Sequence, residues 1–219
     1  MKADFETAAI KATQTLIDYH ITSAPVDPMP ILKQIPGVLV ITFAEMSNTA
    51  GLDRNNLISL CGADGKAAIT SVLPDNGKLK YVVAYNQFLP FAHLQRELAR
   101  ELGHIVMGHD GSRPELIRTA EAVCFAQHLI CPRPLIHAIQ SEGINLTTEV
   151  LGNATGCFEQ CLSCMQETPG AHVPAEMNRA VKEQFGDYLN NLLSYLKSTT
   201  AKDESRIADF GTYMDNYQE

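Results

Sequence analysis

The order in which two kinds of apolar pattern follow each other restricts the fold of this chain more than any other feature. Between residues 37 and 85 the apolar runs are short and rich in β-branched residues: GVLVITF (37–43), NLISLCG (56–62), AAITSVL (67–73) and LKYVVAY (79–85). Each reads as a strand. Ala63-Asp64-Gly65-Lys66 favours a hairpin between the second and third, and PDNGK (74–78) supplies another turn. From Leu89 onward the pattern changes to helical spacing, over 92–107, 115–130, 134–141, 156–167 and 174–197, with prolines at 114, 132, 134, 169 and 174 as punctuation. An opening helix over 3–20, carrying Phe5, Ala9, Ala12, Leu16 and Tyr19 on one face, precedes the strands. A proline-rich turn and a short helix around Ile31–Ile35 follow it. Strands first and helices after predict an α+β domain.

Composition narrows the class further. The 219 residues are 45% hydrophobic and 19% charged, enough to bury a substantial core. A net charge of −8 argues against non-specific binding to nucleic acid or anionic lipid, since both require a basic surface. The first twenty residues lack the unbroken apolar run of a signal peptide, and no later stretch is long and apolar enough to span a bilayer. A cytoplasmic protein with its six cysteines reduced is the expectation.

The chemistry concentrates in RELARELGHIVMGH (96–109). In the zinc-peptidase signature H-E-x-x-H, two histidines one helical turn apart bind the metal and the glutamate beside the first acts as general base. Here Glu101 and His104 are present, but Arg100 stands at the first ligand position. Leu94, Leu98, Leu102 and Ile105 share the core face of this helix, while Glu97, Arg100, Glu101 and His104 occupy the neighbouring face. Read alone, R-E-x-x-R-E is also how a solvated helix laces itself with charge pairs. The next helix weighs against that reading. Ile117, Ala120, Cys124, His128 and Cys131 form a mostly apolar stripe with Glu121 in its middle. A carboxylate there requires a compensating cation, metal or set of donors.

The chain resembles the ImmA/IrrE metallopeptidases. The likeness runs through ITSAPVD, YVVAYNQFLP, ELGHIVMGH, EAVCFAQHLICPRPLI and VPAEMNRAVKEQF, in order, across roughly residues 3–195. It implies a small mixed sheet packed on helices, with a peptidase core over 1–135, a helical extension of the same domain over 136–198 and a polar tail over 199–219. It also implies zinc held by the residues at positions 100, 104 and 121, with Glu101 as base, and a helix-turn-helix regulator of phage, mobile-element or stress genes as partner.

The arginine breaks that pattern. A guanidinium has no lone pair to give and keeps its proton at physiological pH. Three outcomes follow. Arg100 replaces the metal's charge by pairing with Glu121 and Glu101, leaving a degenerate site that acts by binding in the groove beside YVVAY. Alternatively, Cys124 or Glu97 completes a zinc site with His104 and Glu121 and an endopeptidase survives, His93 lying too far along the helix to help. Or the arginine is a one-base change from a histidine codon. A structural accessory protein that uses the tail for attachment is a further reading.

The other histidines and cysteines read as structural. His109, after Gly108, suits a cap or packing role, and His128 a hydrogen-bonding neighbour of Glu121. Cys157, Cys161 and Cys164 have the spacing of an iron–sulfur site, but too little chain follows for the barrel such chemistry needs. A structural zinc with His172 is the alternative, and three small apolar residues on an amphipathic helix the plainer reading.

Overall fold

The computed structural model describes residues 2–51, 68–72, 80–110, 112–156 and 168–199. Helix α1 (Phe5–Asp18) starts where the Asp4 carboxylate accepts from the Thr7 backbone N–H at 3.0 Å and from its hydroxyl at 2.8 Å. Its buried stripe of Ala8, Ala9, Ala12 and Leu16 is small enough for a neighbouring helix to approach closely. Helix α2 (Pro28–Gln34) is capped by Asp27 and begins on a proline, whose missing N–H costs nothing there.

Strand β1 (Val38–Thr42) runs directly into helix α3 (Phe43–Ala50). Thr42 and Glu45 form a reciprocal capping box at that junction. The sequence reading missed α3, although T-x-x-E is legible there. Strands β2 (Ala68–Val72) and β3 (Tyr81–Tyr85) complete a mixed sheet in the order β1-β3-β2. β1 and β3 are parallel with Val38 opposite Tyr81, and β2 and β3 antiparallel with Ala68 opposite Tyr85. YVVAY is therefore the central strand, with both hydrogen-bonding edges occupied. A partner cannot add to it. The strand at the cleft described below is β2.

Helices α4 (Phe91–Met107) and α5 (Glu115–Ile130) pack face to face, and α5 also lies along α1. The α4–α5 approach depends on Gly103. A Cβ there would stand 3.1 Å from the Ala122 Cα, the Ala122 carbonyl oxygen and the Phe125 ring. Leu98, Leu102, Phe125 and Leu129 fill the core between the helices and the sheet.

Helices α6 (Arg133–Ser141), α7 (Thr148–Thr155), α8 (Ala175–Gln184) and α9 (residues 186–199) follow. The expected single helix over 174–197 is two, interrupted at Phe185. Helix α7 was not anticipated; Thr147 caps its start and Gly156 its end. Val181, Phe185 and Leu189 join the same core as Leu16, and the Gln184 amide donates to the Leu16 and Ile21 carbonyls at 2.7 and 2.6 Å. The predicted strand 56–62, the helix 156–167 beyond Gly156, and the tail beyond Thr199 lie outside the described residues. Among the described residues no helix is long and apolar enough to cross a membrane.

Candidate functional site

The close α4–α5 contact brings the expected residues to one end of the helix pair, but in a different pairing. Arg100 donates to Glu97 (3.0 Å) and contacts Glu101 (2.8 Å); Arg96 holds the other oxygen of Glu97 at 2.8 Å. Glu101 is buried, while Arg100 remains partly accessible. The guanidinium thus serves the two carboxylates on its own helix, at i−3 and i+1. The expected fork from Arg100 to Glu121 is not formed.

Glu121 is completely buried, and its partners come from two other segments, the start of the chain and the α4–α5 connection. Arg113 supplies the fork, Nη1 to Oε2 at 2.8 Å and Nη2 to Oε1 at 2.7 Å. The Asp4 backbone N–H donates to Oε1 at 2.7 Å and His109 Nε2 to Oε2 at 3.0 Å. A carboxylate has about four acceptor directions, and all are used. The demand for a partner was legible in the sequence; Arg113, in the segment joining the helices, was not recognised as the residue that meets it.

His109 has a larger role than a cap. Gly108 ends α4 in the left-handed conformation, at φ 70°, and the His109 N–H returns to the His104 carbonyl at 3.0 Å. This reversal sets the two rings edge to face, with Nδ1 to Nδ1 at 2.9 Å. Burial holds the His109 pKa below the usual imidazole range, against the opposing pull of its hydrogen bond to Glu121. A neutral His109 that donates through Nε2 must accept at Nδ1. His104 therefore donates its Nδ1–H to it.

The donor set does not fit zinc. Arg100 cannot ligate, and every acceptor direction of Glu121 is occupied by N–H groups. Cys124, proposed as an extra ligand, instead donates its thiol to the Phe5 carbonyl at 3.6 Å, and burial pushes its pKa up to about 11. Glu97 is held by two arginines, and His93 is half-buried away from these groups. Among the described residues no group of three His, Cys, Asp or Glu side chains could hold a metal ion.

Arg100, Glu101, His104 and Arg118 face β2 across a cleft of about 150 Å³. On the strand side lie Thr70, whose buried hydroxyl has no hydrogen-bond partner, and Val72, which is exposed. His128 sits two turns beyond Glu121 without touching it. Its buried Nε2 has no hydrogen-bond partner, and burial, aided by the Arg133 charge, pushes its pKa down to about 4. His172 is exposed at a second cavity near His128, while Cys157, Cys161 and Cys164 lie outside the described residues. Comparison with known protein families, characterised proteins and solved structures finds no match.

Proposed function

We propose that this chain is a metallopeptidase-like protein of the ImmA/IrrE kind whose zinc site is degenerate, and that it works in the cytoplasm by binding a helix-turn-helix transcriptional regulator without cleaving it. The observation that carries the reading is the full hydrogen-bond complement of Glu121. A group that would serve as a metal ligand is instead neutralised by Arg113, His109 and the Asp4 amide. The sequence resemblance supplies the class of partner. This reading uses the cleft at β2, where an extended segment would meet the exposed Val72, opposite Arg100 and Arg118.

Incubating the purified protein with the regulator encoded beside it separates this reading from an active endopeptidase. The expected result is a stable complex, an intact regulator and no effect of chelator. Chelator-sensitive cleavage, or one tightly held zinc per chain by elemental analysis, reinstates the endopeptidase. Failure to form a complex rules out this partner. Arg100→His alone should stay zinc-free, because Arg113 still occupies Glu121; Arg100→His with Arg113→Ala should bind zinc.

A further inference from the structure

The two arginines that face the β2 cleft differ in how their charge is compensated. Arg100 is held between Glu97 and Glu101. Arg118 commits only its Nε–H, to the neutral Arg113 carbonyl at 2.9 Å. Among the described residues no carboxylate pairs with its guanidinium, not even the exposed Glu115 one turn earlier on the same wall. Asp110, whose carboxyl is lowered first by its bonds to Ser112, feels the Arg118 charge from a distance without bonding to it. Arg118 is half-buried, so water solvates that charge only in part. The Nε bond orients the fork, and the Nη donors are left over.

The size and walls of the cleft define what such a donor can receive. At about 150 Å³ it is smaller than the ~300–1,000 Å³ of typical small-molecule sites and suits one inserted side chain. Apolar surface flanks it: Val72 is 44% exposed on the strand side, and Leu116, beside Glu115 on α5, is 83% exposed. A guanidinium fork between apolar flanks matches a carboxylate side chain between apolar neighbours. A nucleic-acid phosphate fits less well, since a net charge of −8 repels a polyanion. We propose that the β2 cleft selects an extended peptide segment that places an aspartate or glutamate on Arg118, with apolar neighbours against Val72 and Leu116. This deepens the regulator-binding reading and rests on it for the partner: an acidic, apolar-flanked segment is the part of the regulator that docks.

The test is an NMR titration of the full chain with the peptide acetyl-Ser-Val-Asp-Val-Ser-amide, with its counterparts carrying Asn or Lys at the centre, and separately with inorganic phosphate. The Asp peptide should shift the Val72 and Thr119 signals saturably and bind about fivefold or more tightly than the Asn peptide, corresponding to roughly 1 kcal/mol. The Lys peptide should bind most weakly. Arg118→Gln should abolish the Asp preference. Arg118→Glu should turn it toward the Lys peptide, a reversal that loss of the Arg113 contact cannot produce. Equal affinity for the Asp and Asn peptides, no shift at β2, a response to phosphate alone, or self-association that Arg118→Gln removes overturns the proposal. With the regulator itself, Arg118→Gln should weaken the complex about fivefold. A complex indifferent to Arg118 overturns this inference alone; no complex overturns the regulator reading, and the peptides still decide the inference.

Discussion

Helix α5 buries two polar side chains about two turns apart, and they have opposite fates. Glu121 accepts from Arg113, His109 and the Asp4 amide, whereas His128 Nε2 reaches no partner. Both positions were readable as inward-facing polar residues on one apolar stripe. What separates them is the chain around each. Near Glu121 the α4–α5 connection and the N-terminal segment close over the helix and bring donors with them. Near His128 the surrounding segments leave a cavity. A buried ion whose bonds are complete holds segments together; a buried imidazole with one nitrogen unpaired carries a desolvation cost that no bond offsets.

The largest effect that would break this contrast comes from Glu121→Ala. It strands Arg113 and His109 and should destabilise the protein by about 3–5 kcal/mol in denaturant titration. A change below about 1 kcal/mol would show that the ion pair is not structural. Next is pH. Folding lowers the proton affinity of His128 from the ordinary 6.5 to about 4, and His109 shifts in the same direction. Below about pH 6.5 the unfolded chain takes up protons that the folded chain refuses. Stability is thus complete above that pH and should fall toward pH 4, by on the order of 3 kcal/mol from His128 alone. Unfolding curves across this range in the parent and in His128→Leu measure the share, and the variant should show a flatter profile.

Gly103→Ala comes third, because its methyl group meets the Ala122 backbone and the fully buried Phe125 ring. A loss of about 1–3 kcal/mol is expected, with α4 pushed away from α5. Smallest is His128→Leu at pH 7. Removing a polar atom that has no partner should be neutral or stabilising by up to about 1 kcal/mol. A loss as large as that of Glu121→Ala would erase the distinction between the two buried polar positions on α5.

Much of the framework was legible because local chemistry marks it. Pro114 and Pro132 bracket α5, Gly108 ends α4, and the β-branched runs gave β1, β2 and β3 to within a residue or two. Helix α3 was legible in its Thr42–Glu45 box but lay hidden behind the apolar strand before it. The site was readable only as a need. The sequence marked Glu121 as a buried charge, yet Arg100, one motif position away from His104, drew the assignment that belongs to Arg113. Periodicity tells which residues share a helix face, but not which loop side chain will fold back over it. Sheet order was beyond it for the same reason: YVVAY became a central strand through the non-local pairings of β1 and β2.

The short bond from the Asp4 amide to Glu121 ties the beginning of α1 to a completely buried charge. Arg113 reinforces the link by donating to the Lys2 carbonyl at 3.3 Å. A fluorescent label on residue 2 would therefore report, from the surface, any event that draws Glu121 away from its present bonds. An N-terminal fusion would tug on the same thread.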